Sequence, residues 1–236
     1  MPPNRPAPED PRRALGVFAK RPDPGRVKTR LAERTSPEWA AAVARAFLLD
    51  TLDRAAGARA RRFVVFDPPD AGPFFAGLAA GRFRPVPQGE GDLGERMARF
   101  CDGRFAEGAA RVVLVGTDSP SLPTEWVEQA FAELDRADVV LGPATDGGYY
   151  LLGLSRPAPI FRGMAWSRPD VLLRTVQRLP PPEWRVRLLP PWYDIDTWED
   201  WEMFRGHLAG LERAGDPVYL PHTNCLPPPP PSDRAL

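Results

Sequence analysis

The sequence is nearly devoid of lysine. Of its 31 basic residues only Lys20 and Lys28 are lysines, and the rest are arginines. Cysteine and histidine are just as scarce: Cys101, Cys225, His207 and His222 are the full complement. They form no CxxC pair and no ligand-like spacing, which excludes a His/Cys zinc site. Cys101 reads as a buried thiol on a helix. The formal net charge is +0, so the chain lacks the basic excess with which a nucleic-acid binder neutralises phosphates. No run of about 18 apolar residues is present, so no membrane-spanning helix is expected. The opening 13 residues are polar and proline-rich and lack the apolar core of a secretory signal, which makes the cytoplasm the expected compartment.

What remains is an ordinary globular composition. In 236 residues, 43% are hydrophobic and 26% charged. That is enough for a sizeable core without disulfides or structural metal. Proline is abundant, at 31 residues, but it concentrates at the ends. Residues 1–13 and 216–236 therefore read as tails, the second carrying the run Pro227 to Pro231, which favours an extended conformation. Residues 14–215 read as one domain.

Within that body, short apolar runs alternate with helical patterns. Strands are expected at residues 14–19, 62–66, 83–86, 112–115, 139–141, 149–152 and 185–189. The run at 112–115 is continuous and β-branched, as in a central parallel strand. Ser36 followed by Pro37 is a helix start. Asp92 and Glu95 have the spacing of a capping box. A helix is expected over 124–134, and Ser167 and Thr197 look like caps of two later ones. The alternation defines an α/β protein of three layers with a mostly parallel sheet, and the close strand pair around Thr145–Gly148 is one departure from βαβ order.

Open α/β sheets bind ligands at the carboxyl ends of their strands. After the first strand, residues 20–30 (KRPDPGRVKTR) hold five basic residues against one acid, including both lysines. Lys20, Gly25, Arg26, Lys28 and Arg30 in a proline-stiffened turn before a helix suit a phosphate site, the alternative being a solvated basic loop. The loop is no Walker A motif, because Gly25 stands only three residues before Lys28. Gly89, Gly91 and Gly94 match G-x-G-x-x-G, but they follow the third strand, and Glu90 and Asp92 would meet a pyrophosphate with carboxylates.

Asp118 leaves the fourth strand in a proline-stiffened loop, where it can hold Mg²⁺ or simply terminate a turn. Asp146, Gly147 and Gly148 make a tight turn that can admit a ligand close to backbone or be a plain hairpin. Asp194 and Asp196, at i and i+2, fall on one side of an extended segment, where a cation can sit between them or one can cap the next helix. Trp166, Trp192 and Trp198 read as core or cap residues. Lysines facing late aspartates are what metal-assisted transfer from a nucleotide requires.

Six segments together resemble a known family: residues 18–31 (FAKRPDPGRVKTRL), 88–97 (QGEGDLGERM), 116–120 (GTDSP), 142–150 (GPATDGGYY), 166–167 (WS) and 194–197 (DIDT). They resemble the DUF2064 group of glycosyltransferase-A-like proteins, often labelled arsenosugar-biosynthesis-type glycosyltransferases and related to the 2-phospholactate (phosphoenolpyruvate) guanylyltransferases. The resemblance spans roughly residues 14–205. It implies a nucleotide-diphospho-sugar transferase fold, with Asp118, Asp194 and Asp196 on Mg²⁺ or Mn²⁺. It implies that Lys20 and Lys28 handle nucleotide phosphates and that Asp146, Gly147 and Gly148 line the acceptor side.

Two chemistries share that scaffold. In nucleotidyl transfer, a phosphate or carboxylate of a small acceptor attacks the α-phosphorus of an NTP and pyrophosphate leaves. In glycosyl transfer, an acceptor attacks the sugar of an NDP-sugar. The basic loop suits a triphosphate and favours the first. A non-catalytic nucleotide-binding protein is the contrasting reading, which loss of the three aspartates would mark.

Overall fold

The computed structural model describes residues 7–230. Its elements run β1 (Arg13–Lys20), α1 (Thr29–Ala32), α2 (Pro37–Ala55), β2 (Arg61–Asp67), α3 (Gly72–Ala79), β3 (Arg84–Pro87), α4 (Leu93–Ala106) and β4 (Arg111–Val115). They continue with α5 (Glu125–Glu133), β5 (Val139–Pro143), β6 (Tyr149–Leu154), α6 (Val171–Gln177), β7 (Val186–Leu188), α7 (Trp198–Ala214) and α8 (Pro221–Asn224). The strands form one seven-stranded sheet in the order β3-β2-β1-β4-β6-β5-β7.

β1 pairs in parallel with β2 and with β4, so Lys20 lies level with Asp67, and Val17 lies level with Val115. The carboxyl ends of three adjacent strands therefore open on one edge of the sheet. β6 is antiparallel to both β4 and β5. This is the departure expected from the close strand pair around Thr145–Gly148, and it makes the sheet mixed. β4 sits fourth of seven, central as its unbroken apolar run requires, though only its β1 side is parallel.

The period-2 alternation sends side chains to opposite faces of the sheet. Leu15, Val17, Val64 and Val113 pack on one face under α2, α3 and α5. Ala14, Phe63, Val65 and Val112 pack on the other, against Met97 and Phe100 of α4. A third cluster joins Phe47 of α2 to Trp201 and Phe204 of α7 and to Ile195. Burying each such side chain stabilises the fold by roughly 1.5–3 kcal/mol. The result is a three-layer α/β/α protein with α7 stacked outside α2.

Local signals set the helix starts. The Ser36 side chain accepts from the Trp39 amide, with Pro37 at the first helical position. Asp92 and Glu95 form a reciprocal capping box at α4. Thr197 and Asp200 do the same at α7. Ser167 departs from expectation. It caps nothing, since α6 begins only at Val171 behind Asp170, and it has a left-handed backbone with φ 60°.

The proline-rich C-terminal segment also departs from a tail over its described part, residues 216–230. Leu220 is 0% exposed within the third cluster. The wholly buried Asp50 accepts from the amides of His222 and Thr223 and from the Thr223 hydroxyl, fixing α8 on α2. Trp39 donates its indole N–H to the Pro227 carbonyl at 2.9 Å. Proline removes backbone donors but does not prevent apolar side chains from docking, so composition misjudged this segment. At the other end, the Ala7 amide donates to the Ala56 carbonyl, and Glu9 pairs with Arg84. Residues 1–6 of the first tail and Pro231 onward of the second lie outside the described residues.

Candidate active site

The site is built on two backbone links. The Ile195 amide donates to the Asp118 carbonyl at 3.0 Å, tying the segment before α7 to the loop after β4. An isolated parallel bridge between Ala144 and Trp192 aligns that segment with the end of β5. Asp118, Asp146, Asp194 and Asp196 thereby reach one region beyond the carboxyl ends of β4 and β5.

Lys28 enters this region from the loop after β1. Its Nζ donates to Asp118 Oδ1 at 2.5 Å, to the Ile195 carbonyl at 2.7 Å and to Asp196 Oδ1 at 3.2 Å. Three acceptors satisfy the three protons of the ammonium. The Phe47 ring lies 5.3 Å away, adding a cation–π contact. The side chain is 4% exposed. Burial alone would lower the pKa of the amine. Asp118 and Asp196 outweigh it and hold the Lys28 pKa above its ordinary value. Lys28 also has a left-handed backbone, φ 44°, a conformation unfavourable for a residue with a Cβ and kept only where the surroundings enforce it.

Arg30 completes the network, donating to Asp196 Oδ2 at 2.6 Å. Asp194 is held separately, accepting from the Ser119 hydroxyl at 2.5 Å. Burial pushes the Asp194 carboxyl up to about 7, the Ser119 bond opposes the rise, and the like charges of Asp118, Asp146 and Asp196 add to it. Four carboxylates thus interact around a region where, among the described residues, Lys28 is the one enclosed cation.

These elements bound a cavity of about 1530 Å³ that continues between α2 and α5. It exceeds the usual range of roughly 300–1,000 Å³ for a single small-molecule site. Lys20, Arg26, Lys28 and Arg30 line it together with Asp118, Asp146, Gly148, Asp194 and Asp196. Lys20 and Arg26 are exposed and make no side-chain hydrogen bond among the described residues. Two residues named from sequence do not line the cavity. Gly25 is an exposed turn residue with φ 76°. Gly147 has φ 92° and lies so close to the Pro169 backbone that no Cβ would fit, so its role is in packing.

The structure adds residues that sequence reasoning passed over. Ser119 lay inside a quoted motif but offers no local sign of its bond to Asp194. Gln88, likewise inside a motif, is buried and donates to the carbonyls of both Ala19 and Val65, locking the ends of β1 and β2 together. Trp166 lines the cavity, packed on Gly94, where an added Cβ would meet its indole at 2.7 Å.

The donor set suits a divalent cation. Carboxylate oxygens are the hard ligands that Mg²⁺ and Mn²⁺ prefer, and mutual repulsion among the aspartates is what such an ion relieves. Among the described residues, no group of three or more His, Cys, Asp or Glu forms a ready metal cage. The Lys28 ammonium lies between Asp118 and Asp196 instead.

The fold is that of the nucleotide-diphospho-sugar transferases and nucleotidyltransferases. A provisionally assigned nucleotide-diphospho-sugar transferase from Desulfovibrio desulfuricans G20 shares 32% identity, with a TM-score of 0.81, over 90% of this chain and 93% of that one. Residues 51–168 match DUF2064, described as an uncharacterized protein conserved in bacteria. The chain belongs to the DUF2064 family. The fold extends to more distant proteins. The 4-diphosphocytidyl-2C-methyl-D-erythritol synthase of Anaerococcus prevotii matches at 12% identity and a TM-score of 0.53, over 84% of this chain and 96% of that one. The bifunctional IspDF of Campylobacter jejuni matches at 9% identity and a TM-score of 0.52, over 80% of this chain and 53% of that one. No curated protein matches the chain. No helix among the described residues is long and apolar enough to cross a membrane.

Proposed function

We propose that the protein transfers a nucleotidyl group from an NTP to a small acceptor bearing a phosphate or carboxylate, with a divalent cation, Mg²⁺ or Mn²⁺, and with release of pyrophosphate. The observation that carries this reading is the convergence of the basic loop after β1 with Asp118, Asp194 and Asp196 on one cavity. Lys20 and Arg26, exposed and uncommitted, bind the donor phosphates, and Arg30 adds charge at the same rim. Lys28 holds Asp118 and Asp196 in register. Asp118 and Asp194 hold the cation, with Asp196 beside them. A cation bound there would supply positive charge to neutralise the donor phosphates. Asp146 and Gly148 border the acceptor side of the cavity. An acceptor oxygen forms the new bond to the α-phosphorus as the bond to the bridging oxygen breaks. The basic loop stabilises the charge that develops on the departing pyrophosphate.

Glycosyl transfer from an NDP-sugar is the second reading, favoured by the likeness to the Desulfovibrio protein. Both readings are tested by thermal shift with Mg²⁺ against the four NTPs and a panel of NDP-sugars. A ligand at 100 times its Kd adds about 2.7 kcal/mol of stability. An NTP that stabilises the protein and yields pyrophosphate supports nucleotidyl transfer. Stabilisation by an NDP-sugar, with NDP release, supports the second reading, and indifference to every nucleotide defeats both.

A further inference from the structure

Three arginines meet at the end of the sheet opposite Asp118 and Asp194. Arg61 opens β2, Arg84 opens β3, and Arg104 lies in the last turn of α4. Six residues of β2 separate this place from Asp67 at the cavity end, about 20 Å at the usual strand rise. The arginines line a groove of about 460 Å³ whose apolar floor is Phe63 and Val86. The Arg104 and Arg84 guanidinium carbons lie 4.4 and 5.6 Å from the Phe63 ring centre.

Charge here is out of balance. Among the described residues, Glu107 alone pairs with two of the arginines, at 3.3 Å from Arg61 and 2.7 Å from Arg104. Arg84 is half exposed and pairs with Glu9 at 2.8 Å. The Arg61 and Arg104 side chains are only 17% and 13% exposed. Among the described residues, Arg61 Nε and Nη2 and Arg104 Nε are buried without any hydrogen-bond partner. Leaving a buried donor unpaired is costly, and more so when it is charged. Crowding by Arg61 and Arg84 also adds to burial in drawing the Arg104 pKa down.

We infer that Arg61, Arg84 and Arg104 form a binding site for a phosphate-class oxyanion, separate from the aspartates and the basic loop of the candidate active site. A tetrahedral oxyanion in the groove supplies negative charge and acceptors that Glu107 alone cannot. Guanidinium forks, which offer paired donors to phosphate oxygens, are the groups suited to receive it. Binding requires the Arg61 and Arg104 side chains to turn these unpaired donors toward the groove.

The test is calorimetric titration with inorganic phosphate and, separately, AMP, each against sodium chloride of equal ionic strength. Wild type, Arg84→Met, Arg104→Met and Glu107→Gln are compared. Saturable binding is expected for at least one probe, weakened tenfold or more by either arginine change and strengthened at least threefold by Glu107→Gln. Tighter binding of AMP than of phosphate assigns the site to a phosphate ester, and the reverse assigns it to the free ion. Arg84 is half exposed and Glu107→Gln removes no packing, so both variants report even if Arg104→Met fails to fold. Binding in the basic loop after β1 would respond to neither. Unsaturable binding, or affinities within twofold of wild type in both Arg84→Met and Glu107→Gln, overturns the inference.

Discussion

Lys28 and Asp118 lie 90 residues apart in sequence, and their Nζ and Oδ1 atoms meet at 2.5 Å. This contact fastens the loop after β1 to the loop after β4, and through Ile195 and Asp196 to the segment before α7. The enclosed ammonium is thus both a component of the charge pattern and a strut of the cleft wall.

Removing the strut leaves carboxylates facing one another. Lys28→Met is expected to destabilise the protein by about 3 kcal/mol, the scale for breaking a buried ion pair from one side. Urea unfolding measures it. Lys28→Arg should not restore stability, because a planar guanidinium cannot direct donors to three acceptors gathered around a point. A Lys28→Arg protein as stable as wild type would contradict the assignment.

Asp194 makes stability depend on pH. Its carboxyl sits at about 7 in the folded protein, against an ordinary value of 3.8. Between those values the folded state keeps a proton that the unfolded state has released. Stability therefore falls as pH rises through this window and levels off above it. Asp194→Asn should remove that contribution and gain relative to wild type as pH rises from 5 to 8. Parallel profiles of Tm against pH for the two proteins would show that Asp194 titrates ordinarily.

Asp118 has a side chain 50% exposed, so it can be neutralised without opening a hole in the core. Asp118→Asn is expected to weaken Mn²⁺ binding at least tenfold, measured by paramagnetic resonance titration of free ion. Undiminished affinity would move the metal away from the end of β4.

The C-terminal segment acts as a strap over α2. Leu220→Ala should cost about 2–4 kcal/mol, the range for truncating a buried leucine. A change below a few tenths of a kcal/mol in denaturant unfolding would return the segment to the status of a tail.

Local chemistry is where the sequence was most readable. The capping residues Ser36, Asp92 and Thr197 announce their helices because the bonds they make span three residues. The runs that became β1, β2 and β4 announce strands because burial on both faces leaves no polar alternation. The α3 stretch GPFFAGLA gives no such signal, with two glycines and a proline in eight residues. Leu220 was hidden by its prolines. The basic loop and the aspartates were visible as charge, but Lys28 was read as a phosphate ligand. That its ammonium is spent on Asp118, Ile195 and Asp196 depends on contacts 90 to 168 residues away in sequence.

In the proposed reaction, basic and acidic residues from distant parts of the chain hold a metal-bound nucleotide between them. A crystal structure grown with Mn²⁺ and a non-hydrolysable NTP analogue tests it most directly. An anomalous peak is expected against the carboxylates of Asp118 and Asp194, with the phosphates running toward Lys20 and Arg26. A nucleotide seated elsewhere, or manganese away from both aspartates, would contradict it.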